Sequence, residues 1–210
     1  MSSFFAELLS QIHGTNMLEL FAAVLGVLSV WFAKKENILV YPVGIVSTAI
    51  YVYLLFKGGL YAVSGINLYY TLISCYGWYK WSKKDENNDR LKITYNNIRQ
   101  NFVWLIITFV LFCGIFLLLR AVSKTQGNVL PTIFDALTSS IFASAMILQA
   151  KKKVETWMYW IVGDVISVPF YMMTGFYFTG VQYMVFLVIA AFALAEWMRK
   201  AKENTLNDPC

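Results

Sequence analysis

Hydrophobic positions in this chain fall in long continuous runs rather than at the period of a half-buried helix or strand. Seven runs, roughly 18–33, 38–56, 61–80, 102–119, 132–150, 156–174 and 178–196, carry few charged residues. A hydrocarbon core of ~30 Å needs about 20 residues of helix at 1.5 Å each, so every run predicts a membrane-spanning helix. Short polar turns separate the runs, except for SKKDENNDRLKITYNNIRQN after the third and the stretch 123–128 after the fourth. Ahead of the first run, Phe4, Phe5, Leu8, Leu9 and Ile12 recur at helical spacing. That spacing predicts a short helix lying in the headgroup layer, with a frayed tail as the alternative. The same segment has no Lys or Arg and no small-residue cleavage site, so it does not read as a cleaved signal peptide.

Composition places the whole chain in the membrane class. Of 210 residues, 59% are hydrophobic and 14% charged, and the mean hydropathy is +0.57. A soluble domain of this size cannot hide so much apolar surface, which excludes a soluble enzyme, a disordered chain and a disulfide-stapled module. The net charge of +5 raises nucleic acid as a partner, but the basic residues line the turns between apolar runs, so no nucleic-acid partner is expected. With the N-terminus outside, Lys34, Lys35, Lys80, Lys83, Lys84, Arg90, Lys92, Arg99, Lys151, Lys152, Lys153, Arg199, Lys200 and Lys202 all fall on the inner side. Only Lys57, Arg120 and Lys124 fall outside. Inner loops collect Lys and Arg during insertion, so this asymmetry supports seven spans with the N-terminus outside and the C-terminus cytoplasmic. Cys75, Cys113 and Cys210 show no metal or redox spacing, and Cys75 and Cys113 read as core residues.

The chain also resembles itself. WFAKKENILVYPVGIVS and LQAKKKVETWMYWIVGD align with AKK on AKK at an offset of 117, and GGLYAVSGINLYY aligns with TGFYFTGVQYMVF at 116, ending in Trp81 and Trp197. Each unit holds three helices, an odd number, and the fourth helix between them restores direction, so both units run parallel. The expected organisation is an all-α membrane protein with seven transmembrane helices in a 3+1+3 arrangement. It comprises an interfacial segment (1–17), a first three-helix repeat (18–81), a basic loop (82–101), a connecting helix with its outer loop (102–131), a second repeat (132–198) and a cytoplasmic tail (199–210). Parallel repeats with a site near the midplane are a known transporter plan.

Ionisable groups inside spans are costly and therefore point to function. Asp164 is the one carboxylate placed well inside a span, and the 117 offset pairs it with Ser47. One reading is a protonated Asp164 that bonds a neighbouring helix; the other is a carboxylate facing a wet cavity that attracts a cation. Trp157 and Trp160 share its helix face at spacings of three, four and seven. Two indoles beside a carboxylate suit a flat cationic ring through stacking and cation–π attraction. For Trp157, the interfacial aromatic belt is the plainer alternative. Asn67 and Gln182, in nearly matching repeat positions, offer amides to a ligand or to a neighbouring helix. Tyr41, Tyr70 and Tyr183 are candidate walls, or packing. Trp78, Trp81 and Trp197 sit beside basic residues and read as inner-interface anchors. Pro42 and Pro169 offer kinks in repeat-related helices.

No lysine stands mid-span for a retinal Schiff base, His13 lies near the N-terminus, and no catalytic, metal-binding or P-loop motif is visible. The chain is therefore expected to be neither an enzyme nor an ATP-driven pump, and no cofactor or metal is expected. The block KKKVETWMYWIVGDVISV, the GFY turn after it and YGWYKW at the end of the third helix resemble the PnuC-type family of bacterial vitamin transporters, over about residues 18–200. The resemblance implies a SWEET-like 3+1+3 fold in the bacterial inner membrane, homo-oligomers, and facilitated diffusion of nicotinamide riboside for NAD biosynthesis, drawn inward by a cytoplasmic vitamin kinase. It also implies that Trp157 and Trp160 line the substrate site. The family often carries Asn where Asp164 and Ser47 stand here, which leaves thiamine, also a cation, as the alternative substrate, while neutral riboflavin suits a carboxylate less. Proton symport through Asp164 and a non-transporting sensor or assembly subunit are the remaining readings.

Overall fold

Turn chemistry ends each apolar run close to where the pattern predicts. In the computed structural model, which describes residues 2–84, 91–122 and 129–207, eight helices follow in order. They are α1 (Ser2–Gly14), α2 (Met17–Lys34), α3 (Val40–Lys57), α4 (Tyr61–Ser82), α5 (Ile98–Val122), α6 (Leu130–Ala150), α7 (Thr156–Met173) and α8 (Tyr177–Asn207). Asn16 caps α2 by accepting the Leu18 N–H at 3.0 Å. Gly59 and Gly175 take φ of +78° and +81° in the turns α3–α4 and α7–α8, a conformation open to residues without a Cβ. Among the described residues there is no strand, only one isolated bridge between Thr94 and Lys153. The side chains of Phe4 and Phe5, and residues Arg90, Lys124 and Cys210, lie outside what is described.

Among the described residues, five helices, α2, α3, α5, α6 and α8, are long and apolar enough to cross a membrane. The other two long helices, α4 and α7, are 22 and 18 residues long and fall below that hydropathy because serines, tyrosines and Asn67 interrupt α4 and Asp164, Ser167 and Pro169 interrupt α7. α8 runs eleven residues past the apolar stretch that ends at 196. Exposed Phe21, Leu28, Leu72, Phe109 and Val188 leave an apolar belt on the outside of the bundle.

Packing closes a ring: α2 lies on α3, α3 on α4, α4 on α6, α6 on α7, α7 on α8, and α8 back on α2. α5 stands outside against α6, with Trp104 its one buried residue. α1 folds onto α8, and Gln11 fastens it by donating to the Gly175 carbonyl at 2.6 Å and accepting the Phe178 N–H at 3.0 Å.

The internal likeness has a single register. Lys35 N–H bonds the Trp31 carbonyl as Lys151 bonds Ile147; Asn37 bonds Phe32 as Lys153 bonds Leu148; Leu60 bonds Leu55 as Phe176 bonds Tyr171. Glu36 and Lys152 both take positive φ, 58° and 51°. All these pairs are 116 apart, so the 117 offset read from AKK is off by one. Helix α2 ends at Lys34 and α6 at Ala150, which shifts the lysines by one place relative to the turn. Asp164 therefore corresponds to Thr48, and Ser47 to Gly163. Two further expectations change. Pro42 lies in the first turn of α3, where its missing N–H is no loss, so it does not kink a repeat partner of the helix holding Pro169. Cys75 is exposed on the outer surface rather than in the core, because α4 turns that side away from its neighbours.

Candidate functional site

Helix α7 presents one stripe of polar and aromatic groups to the interior. Trp160, Asp164, Ser167 and Tyr171 recur at four, three and four residues, so they stack along a single face, with Trp157 a turn before them. Trp157 and Asp164 are 0% exposed and Ser167 is 1% exposed. Both Asp164 oxygens, the Ser167 hydroxyl and the Nε1 groups of Trp157 and Trp160 are buried with no hydrogen-bond partner in the protein. Buried polar groups are nearly always paired, so five unpaired atoms on one helix mark a place built to meet something else. Trp157 is thus neither lipid-facing nor part of an interfacial belt.

Gly163 lets a neighbouring ring reach this face. A Cβ there would sit 2.8 Å from Cζ and 2.9 Å from Cδ1 of Phe142, so the ring of α6 lies directly against the α7 backbone. Phe142 stacks on Trp160 (5.2 Å, 27°) and on Tyr183 of α8 (5.8 Å, 10°), and Tyr183 stacks on Tyr171 (5.3 Å, 3°). This continuous ladder of four rings walls the Asp164 stripe. Tyr183 lies close enough to Asp164, Tyr51 and Tyr70 to interact electrostatically, which brings groups from α3, α4 and α7 to one residue of α8.

The remaining candidates divide between this cluster and other contacts. Gln182 lies within side-chain hydrogen-bonding reach of Tyr51 and, with Ser47 and Phe186, surrounds Gly26 of α2. Ser47 donates to the Ala22 carbonyl at 2.7 Å, so its hydroxyl is already used. Asn67 donates to the Val63 carbonyl of its own helix at 3.1 Å, and the 116 register sets it opposite Tyr183 rather than Gln182. Tyr70 approaches Tyr183 from α4. Tyr41 lies deeper toward the lysine-rich end, with Gly77 leaving room for its ring.

At that end the bundle is plugged by aromatics related by the same shift. Tyr41 meets Trp81 edge-on at 5.1 Å, Trp157 meets Trp197 edge-on at 5.5 Å, and Trp81 and Trp197 lie 6.2 Å apart. Trp81 donates to the Gln149 carbonyl at 3.2 Å and Trp197 to the Ala33 carbonyl at 3.3 Å, so each indole crosses to the first helix of the other unit. Trp81 and Trp197 are 3% and 0% exposed, which corrects their reading as interface anchors: the helix ends converge there and bury them. Trp78 is exposed. Glu36 and Lys152, 116 apart, form an ion pair at 2.6 Å, joined by Lys200 at 3.2 Å, and Lys152 lies 4.6 Å above the Trp81 ring. Residues 93–96 strap this end. Ile93 is fully buried, Thr94 exchanges backbone bonds with Lys152 and Val154, and the Asn96 N–H bonds Glu155.

Chemically, the stripe combines a carboxyl group, aromatic faces, indole donors and a hydroxyl in a buried setting. Electrostatic and cation–π attractions are strong there. Nothing in it supplies a nucleophile–base pair. Ser167 and Tyr171 were reachable from sequence, as the i+7 and i+11 continuation of the stripe that begins at Trp160. Phe142 and Tyr51 were not, since only the packing of α6 and α3 brings them in.

The nicotinamide mononucleotide transporter family model matches residues 16–199. The chain is similar to the nicotinamide riboside transporter PnuC of Escherichia coli strain K12, 26% identical over 213 aligned positions that cover 91% of this chain and 89% of that protein. It is also similar to the riboflavin/roseoflavin transporter RibM of Streptomyces davaonensis, 19% identical over 184 positions, 87% of this chain and 84% of that one. Among solved structures, the crystal structure of the vitamin B3 transporter PnuC matches with a TM-score of 0.73 at 22% identity, covering 95% of this chain and 90% of that chain, a likeness of fold.

Proposed function

The chain belongs to the nicotinamide mononucleotide transporter family, and from that premise we propose that it takes up nicotinamide riboside by facilitated diffusion through the ring of six helices. It is a vitamin transporter and not an enzyme. The observation that carries the choice of substrate is the unpartnered Asp164 carboxylate beside Trp160 and the ring ladder. A riboside with a pyridinium ring is a net cation and gains from that charge. A mononucleotide would bring a phosphate toward an uncompensated carboxylate, which repels it. In this reading Trp160, Asp164, Tyr70, Tyr183 and Gln182 contact the substrate, Trp157 and Tyr41 floor the site, and Ser47 and Asn67 border it.

The finer architecture we propose is seven spans as 3+1+3, with repeats 18–81 and 132–198 and α5 as connector, in the bacterial inner membrane with the N-terminus outside. The shared register of 116 and the pairwise-equivalent helix contacts support parallel repeats, and the lysine-rich end supports the orientation. The aromatic plug and the Glu36–Lys152 pair then close the cytoplasmic side. Homo-oligomers and a cytoplasmic kinase that traps the vitamin complete the proposal. Thiamine is the second reading, favoured by the same carboxylate, since its thiazolium is also a permanent cation.

Purified protein in liposomes decides between these. Labelled nicotinamide riboside is expected to equilibrate without an ion gradient. Equilibration of thiamine alone replaces the substrate, and strict dependence on a proton or sodium gradient replaces diffusion by symport. Passage of neither, by protein verified as folded, favours a sensor or assembly subunit.

A further inference from the structure

Ser167 is the one buried serine or threonine hydroxyl, among the described residues, that lacks a partner. A hydroxyl in an apolar helix ordinarily bonds a carbonyl one turn back, and Thr48, Thr71, Thr108, Thr138 and Thr205 all do so here. Asp164 stands three residues away on the same face with both oxygens unpaired, yet the two groups do not bond each other. Two buried groups able to satisfy one another, and not doing so, are each directed at a third party. Along the helix axis, Ser167 lies about 10 Å from Trp160 and about 4 Å from Asp164, at 1.5 Å per residue.

Resting on the reading above, we propose that Ser167 is a specificity residue whose hydroxyl reads a hydroxyl on the substrate's tail. Trp160 and Asp164 hold the cationic ring toward the lysine-rich end, and Ser167 meets the tail toward the opposite end. The ligand class is an aromatic cation about 10 Å long carrying an alcohol, the length set by the spacing of the stripe. A ring cation without the alcohol fills the first half of the site and leaves Ser167 unmet.

The test uses detergent-purified full-length protein and two probe pairs by calorimetry or competition. One pair is nicotinamide riboside and 1-methylnicotinamide, the pyridinium cation methylated on its ring nitrogen; the other is thiamine and its analogue lacking the hydroxyethyl group. Ser167→Ala is expected to lower affinity for the alcohol-bearing member about tenfold, the scale of one lost hydrogen bond, and to leave its alcohol-free partner unchanged. The melting temperature of the variant verifies folding, and Ser167→Thr, which keeps the hydroxyl, is expected to retain discrimination. Equal loss for both members of a pair, or no loss for either, overturns the role of Ser167 while the transport reading stands. Failure of the unaltered protein to bind any of the four probes overturns both.

Discussion

Gly163→Ala is expected to be costly for a reason that has nothing to do with helix formation. Alanine is the better helix former by about 0.8–1 kcal/mol, so on an open helix face the substitution would stabilise. At position 163 the new methyl would lie 2.8 and 2.9 Å from Cζ and Cδ1 of Phe142. That ring cannot simply yield, because it is 5% exposed and sandwiched between Trp160 at 5.2 Å and Tyr183 at 5.8 Å. Overpacking of this kind costs about 1–3 kcal/mol after relaxation, which outweighs the propensity gain. Moving the ring also opens the ladder beside Asp164, so vitamin affinity should fall with stability. The assay is a double-mutant cycle with Phe142→Ala, followed as mixed-micelle unfolding by tryptophan fluorescence. In the Phe142→Ala background the obstruction is gone, and Gly163→Ala should be neutral or stabilising, a reversal of sign. The same cost in both backgrounds would refute the contact as the cause and reduce the glycine to a backbone role.

The other predictions follow from the same geometry. Trp160→Ala should weaken vitamin binding by about 1–3 kcal/mol, on the scale of one lost stacking partner, as titration calorimetry would read. Trp157→Ala should instead cost about 3–5 kcal/mol of stability, since that indole is fully buried against Trp197; a variant as stable as the parent contradicts its place in the plug. Asp164→Asn should lower affinity for a cationic ring tenfold or more and spare neutral nicotinamide, and equal loss for both would show that charge is not what the site reads. Lys152→Met should cost about 1.5–3 kcal/mol, the scale of a charged hydrogen bond, and Glu36→Gln should cost less in that background than in the parent, because only the contact with Lys200 is then left to lose.

The apolar runs by themselves determined where the seven long helices lie, because a stretch of about 20 residues that cannot tolerate water has few other conformations available in a bilayer. Helix periodicity likewise put Trp157, Trp160 and Asp164 on one face, since that depends only on 3.6 residues per turn. Tertiary structure decided everything that depends on which helix meets which. It set the register at 116, so that Asp164 answers to Thr48, and it sent Trp81 and Trp197 into a buried plug that flanking lysines had disguised as interface anchors. It brought Phe142 of α6 against Gly163, and it used up Ser47 on a backbone carbonyl while leaving Ser167 unpaired. Periodicity orders side chains around one axis; whether a hydroxyl is spent or spare depends on atoms that distant segments carry to it, and local sequence holds no record of those.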